Sequence, residues 1–142
     1  MHPHYLGPDS IDELACLDFA FVTMEGSMKR LVIEKLEALG IPYIDVGMGL
    51  YVTNGSLGGI VRTTTSTPEK RDHVWTLDRI PFSEGAANEY NKSIQIADLN
   101  ALNAALAVIR WKKHFGFYLD QEHEHYSCYG IGGNHLVNED RL

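Results

Sequence analysis

The chain has 142 residues, 44% of them apolar, and 19 acidic against 12 basic residues give a formal charge of −7. That length and apolar share suit one globular domain with its own core and exclude an intrinsically disordered chain. No apolar run reaches the ~20 residues of a membrane span, the opening MHPHYLGPDS has no apolar signal core, and the acidic balance excludes a phosphate-backbone binder.

Residues 17–24, LDFAFVTM, form a short apolar run closing on Glu25-Gly26-Ser27, the pattern of a strand buried on both faces in a parallel sheet. Met28, Leu31, Val32, Leu36 and Leu39 then recur at helical spacing on one face. Ser27 stands at the N-cap, Gly40 at C′ and Pro42 just beyond. Residues 41–46, IPYIDV, read as a second strand. Strand, amphipathic helix and strand make a βαβ unit, and ligands of open α/β sheets bind beyond the carboxyl ends of the strands. Glu25 and Gly26 are expected at one such end, and Gly47-Met48-Gly49 at the other.

Asn54-Gly55-Ser56 is a turn, and the β-branched residues 57–66 are expected to extend the sheet antiparallel. Residues 67–92 are polar and broken by Pro68, Pro81, Gly85 and Asn88, a long connection with one short element near 74–77. Residues 94–115 are the strongest helix. Leu99, Leu102, Leu106 and Ile109 form its stripe, small alanines permit close approach, Lys112 and Lys113 suit its negative end, and Gly116 stops it. Asn100 and Asn103 either bond neighbouring backbone across an interface or form a solvent-facing strip. Residues 126–131 and 135–137 are short strands around a hairpin turn at Gly132-Gly133-Asn134. The expected class is α/β, one domain over residues 1–142, with a parallel βαβ unit extended by antiparallel strands and one long C-terminal helix.

Four groups of residues carry candidate chemistry. Glu25, at a strand's end beside a glycine and a helix start, is placed to hold a metal–phosphate complex, with Arg30 in the first turns of that helix; the plain alternative is a surface acid and base. Gly47-Met48-Gly49 with Gly58-Gly59 permits close approach of a ligand backbone, and Arg62 offers a carboxylate or phosphate partner; the alternative is turn glycines and an exposed arginine. His123 and His125, spaced like His2 and His4, would share one face of an extended chain, yet no third or fourth ligand is recognisable and a polar edge is the simpler reading. Cys16 and Cys128 sit among apolar or alternating neighbours as small packed residues. Two cysteines make neither a disulfide framework nor a Cys-only zinc site, so a reduced, cytoplasmic setting is expected.

In their order and spacing LDFAFVTMEGSMKR, GIPYIDVGMGL, LGGIVR, NKSIQIADLNALNAALAVIRWKK and YGIGGNHLVNED resemble the second half of a ThiF-family adenylyltransferase domain. That incomplete Rossmann-like fold is shared by ubiquitin-activating enzymes and the MoeB and ThiF proteins, and the likeness spans residues 2–138. The family's pattern at this point is Asp-Asn, three residues, Arg. Here Arg30 matches, Glu25 takes the place of the acid that helps bind magnesium and ATP, and Gly26 departs from Asn. Gly47 matches the glycine bordering the path of a ubiquitin-like protein's C-terminal tail, with Gly49 beside it and Arg62 matching further along. The chain has no G-x-G-x-x-G, no C-x-x-C pair and no cysteine within 67–92.

The resemblance therefore implies a partial domain whose nucleotide-binding half lies upstream. The intact enzyme would use ATP and magnesium to adenylate the C-terminal carboxylate of a ubiquitin-like or sulfur-carrier-like protein. This piece alone would bind neither cofactor tightly and would be inactive. Its first strand, lacking the missing half as neighbour, would leave an edge that favours a homodimer. The other readings are a non-catalytic module binding a ubiquitin-like tail or a partner helix, and a metal-binding domain built on the histidines.

Overall fold

The computed structural model describes residues 5–82 and 96–142. A 3-10 helix, Ile11–Cys16, leads into β1 (Ala20–Val22), α1 (Met28–Ala38), β2 (Tyr43–Thr53), β3 (Ser56–Ser66), α2 (Asp72–Thr76), α3 (Ala97–His114), β4 (Glu124–Gly130) and β5 (His135–Arg141). The strands form one five-stranded mixed sheet in the order β1-β2-β3-β4-β5, parallel between β1 and β2 and antiparallel beyond. The expected βαβ unit is thus β1-α1-β2. The long helix, however, is not C-terminal: β4 and β5 follow α3 and close the sheet.

Local chemistry explains the ends of the helices. Gly26, at φ +94°, makes the sharp turn out of β1, and Ser27 is already helical, with no side-chain capping bond. The expected N-cap is therefore not formed. At the other end Gly40 has φ +71°, its N–H donates to the Glu37 carbonyl, and the Ile41 N–H donates to the Leu36 carbonyl at 2.9 Å. These two bonds satisfy the last carbonyls in a Schellman motif that only glycine enters without strain. Gly116 ends α3 in the same way, the Phe117 N–H reaching the Lys112 carbonyl at 2.8 Å.

α1 buries Lys29, Val32, Ile33 and Leu36 against Val22, Tyr43, Val74 and Ile80. This face is turned from the expected stripe, leaving Leu31 and Leu39 partly exposed. Apolar periodicity cannot register Lys29, which belongs to the buried face through an ion pair with Asp45. Glu37 ties the far end of α1 down, accepting bonds from Tyr43 and Trp75, both at 2.8 Å.

β2 runs on to Thr53, so Gly47-Met48-Gly49 lies inside the strand and not at its end. Register explains this. Gly47 faces Arg62 across the ladder, and a Cβ at Gly47 would stand 2.1 Å from the Arg62 guanidinium. The glycine makes room for a side chain lying over it, and pairing with β3 carries the strand through. Asn54 and Gly55, both at positive φ, form the two-residue hairpin turn anticipated there.

α3 covers the opposite face of the β2–β3 hairpin, where Leu50, Val61 and Leu99 form a second apolar cluster with Met48, Leu102 and Leu106 around it. Its most buried line is Leu99, Asn103, Ala107 and Arg110, while Ile109 points outward. Arg110 ties α3 to the loop and strand that follow, bonding Asp120 at 2.7 Å and approaching Glu124 at 3.4 Å.

The two sheet margins differ. β5 is a charged edge carrying Glu139, Asp140 and Arg141, the usual protection against unwanted pairing. β1 is only three residues long, and Phe21 is 44% exposed, so the expected burial on both faces does not hold. Phe19, Phe21, Trp111 and Phe115 meet edge to face beside that short strand, which has no second strand partner among the described residues. No helix among these residues is long and apolar enough to cross a membrane.

Candidate functional site

Side chains alternate along an extended chain, so Phe21, Thr23 and Glu25 run in line from β1 toward α3. With Val46, Gly47 and Met48 of β2 and Asn100, Asn103, Ala104, Ala107 and Val108 of α3 they line a cavity of about 470 Å³. That volume lies within the range of small-ligand sites. The cavity opens at the carboxyl end of β1, the position where open α/β sheets bind ligands. Its walls are mainly apolar, and the alanines of α3 leave the space between helix and sheet. Glu25 is its one charged lining residue among those described, and it makes no ion pair there.

Asn103 joins the helix to the sheet. Its Nδ2 donates to the Gly47 carbonyl at 2.9 Å, which settles the two expectations for this residue in favour of a backbone bond. Its Oδ1 is buried and has no hydrogen-bond partner among the described residues. Glu25 and Gly47, singled out separately in the sequence, thus share one cavity, and Asn103 completes it.

No known family model matches this chain, and no curated protein does.

Arg62 stands on the other sheet face. Residues 45 and 47 share the face opposite Met48, and there the Arg62 guanidinium crosses Gly47 to approach Asp45 at 3.5 Å, while Lys29 holds the same carboxylate at 2.6 Å. Asp45 is fully buried and Lys29 is 5% exposed. Burial pushes the Asp45 carboxyl above its usual range, and Lys29 and then Arg62 pull it back. Arg62 therefore does not join Glu25, and its Nε is buried without a partner among the described residues. Gly49 has only Ile60 within reach of a Cβ and does not line the cavity.

Arg30 also turns away. It pairs with Glu34 at 2.8 Å and lies over the stacked rings of Trp75 and Phe82. The histidine pair is not a chelate. His123 has φ +50° and is exposed, whereas His125 is buried with Nδ1 on the His123 carbonyl. Among the described residues no three metal-ligating side chains gather; His2 and His4 lie outside those residues. Cys128 is half-buried, but Cys16 is exposed and not packed as expected, its thiol donating to the Glu13 carbonyl.

Sequence reading overlooked the Lys29–Asp45 pair and the His73–His125 contact, whose rings lie 6.0 Å apart. An acid within an apolar strand, Asp45 in IPYIDV, was the available signal for the first, because a buried carboxylate needs a partner.

Proposed function

We propose that the chain is the substrate-tail side of a ThiF-type, Rossmann-like adenylyltransferase domain, and that the intact enzyme transfers AMP from ATP onto the C-terminal carboxylate of a ubiquitin-like or sulfur-carrier-like protein, releasing pyrophosphate. The observation that carries this reading is that Glu25 and Gly47 open onto one cavity at the carboxyl end of a parallel β1-α1-β2 unit.

The donors present fit magnesium in one mode only. Magnesium is commonly held by one or two carboxylates plus substrate phosphates, so Glu25 would hold it together with ATP and not alone. When bound, the metal neutralises phosphoryl charge. Within this chain Glu25 supplies the acid, the Gly47 backbone forms part of the cavity wall and holds Asn103 through its carbonyl, and the apolar walls exclude water from the tail. The triphosphate cradle belongs to a nucleotide-binding half that this sequence, without a G-x-G-x-x-G, does not contain. The chain alone is accordingly expected to give no ATP–pyrophosphate exchange above a protein-free control.

Titration of the ¹⁵N-labelled chain with a ubiquitin-like protein ending in Gly-Gly is expected to shift the amides of Gly47, Met48 and Asn103. The same protein trimmed of its last two residues should leave them unmoved. Equal shifts from both, or exchange activity from the chain alone, overturns the proposal. Tail binding that persists after the nucleotide-binding half has been supplied, still without exchange, would favour a non-catalytic module instead.

The β1 margin, apolar and without a second strand among the described residues, is proposed as the seam for the missing half and, in its absence, for a second copy of this chain. Sedimentation equilibrium is expected to show a dimer that Phe21→Lys converts to monomer, since a charge there blunts an edge. A wild-type monomer at high concentration refutes this seam.

A further inference from the structure

We propose that the cavity between β1, β2 and α3 is a binding site for a small organic cation: an apolar body lies against Phe21, Met48 and Val108, and its ammonium end meets the Glu25 carboxylate. This ligand is additional to the tail and the nucleotide proposed above. It shares Glu25 with the nucleotide's metal, so the two exclude each other.

The lining sorts ligands by charge. Glu25 is exposed on the cavity wall and has no hydrogen-bond or ion-pair partner among the described residues. Acids on the neighbouring elements are already matched: Glu34 by Arg30, Asp45 by Lys29 and Asp120 by Arg110. No basic side chain lines the cavity among the described residues, so an anion there would meet the Glu25 charge with nothing to offset it. The formal charge of −7 also draws cations toward the surface as a whole.

Size and wall chemistry narrow the class further. The volume, about 470 Å³, is that of a small-molecule site. Most of the wall is apolar, so an alkyl or phenyl body gains by leaving water there, whereas a bare metal ion or a fully polar cation does not. Thr23 lies two residues before Glu25 on the same side of the extended chain, and its hydroxyl is a second acceptor for the ammonium protons.

The test titrates the ¹⁵N-labelled whole chain at neutral pH with phenylpropylamine, phenylpropanol and phenylpropanoate, which share a body and differ only at the end group. The amine is expected to shift the amides of Gly47, Met48, Ala104 and Ala107. It should bind about fivefold more tightly than the alcohol, the size of one partly solvated ion pair. The carboxylate should not bind at concentrations that saturate the amine. In Glu25→Gln, a change at an exposed side chain, amine and alcohol should bind equally. Ala104→Leu, which puts bulk into the cavity, should weaken both. Three results overturn the inference while leaving the tail reading to its own titration: equal binding of amine and alcohol to wild type, a preference for the amine that survives Glu25→Gln, and amine shifts spread over other acidic positions but absent from the cavity. If none of the three compounds moves the cavity amides, the inference fails as well.

Discussion

Asp45→Ala is expected to lower stability by about 3–5 kcal/mol in urea titration at neutral pH, a large share of the roughly 5–15 kcal/mol that holds a typical domain folded. The side chain has no solvent access and is held by Lys29 at 2.6 Å and Arg62 at 3.5 Å. Removing it strands the Lys29 ammonium, itself buried between α1 and the sheet, and frees Arg62 from its place over Gly47. An unpaired buried charge costs far more than the pair contributes, so replacing both members together should be milder. Lys29→Met with Asp45→Leu is expected to recover at least half of the loss. A single Asp45→Ala variant within about 1 kcal/mol of wild type would mean that these cations reach water in the folded state.

The same contact bears on the cavity. Gly47 sits where the two faces of β2 are read at once: its missing side chain admits Arg62 on one face, and its carbonyl accepts Asn103 from α3. Any side chain at position 47 would push the guanidinium off Asp45 and shift the backbone that orients Asn103. The site is thus held by a charge cluster on the sheet face away from the cavity, and loss of Asp45 should loosen the cavity before the sheet as a whole.

What the sequence revealed and what it hid follow from which forces have a period. Gly40, Gly116 and Asn54-Gly55 were legible because positive φ at a helix end or a two-residue turn selects few residue types. The β1-α1-β2 order was legible from apolar spacing. The face of α1 was misplaced because Lys29 is buried through a charge pair with a residue 16 positions away, which no periodicity reports. Gly47 and Gly49 looked like a strand's end because glycine usually marks a break. Only the register, which sets Gly47 opposite Arg62, shows that the gap is filled from β3. Asn103 was noticed as a polar residue in an apolar helix, but its acceptor left without a partner is a property of the folded chain alone.

Acidification from pH 7.5 to pH 5.5 is expected to cost the protein at most about 2.7 kcal/mol through two buried imidazoles. The His73 Nε2 donates to the Thr65 carbonyl at 2.9 Å, the His125 Nδ1 donates to the His123 carbonyl at 3.1 Å, and each ring is nearly inaccessible. Burial depresses both pKa values. At His73 the pull of Asp140 and Asp72 opposes it while Lys70 adds to it, and at His125 Arg110, Lys70 and His73 itself add to it. A depressed imidazole pKa leaves the folded state neutral while the unfolded chain takes up protons below about pH 6.5, so stability falls as pH drops through that value. Each ring contributes about 1.4 kcal/mol over this interval if it stays neutral when folded. The acids act in a separate window. Lys35 depresses Asp12 and Lys70 depresses Asp72, and their stabilisation is lost only as pH falls below about 4. His73→Gln and His125→Gln are therefore each expected to remove about 1.4 kcal/mol of the loss, measured as urea midpoints at the two pH values, while His114, which burial and then Arg110 also depress, accounts for a remainder. A wild-type midpoint that does not move between pH 7.5 and 5.5 would show that the folded protein accepts both protons, and that the contact between α2 and β4 opens to water without cost.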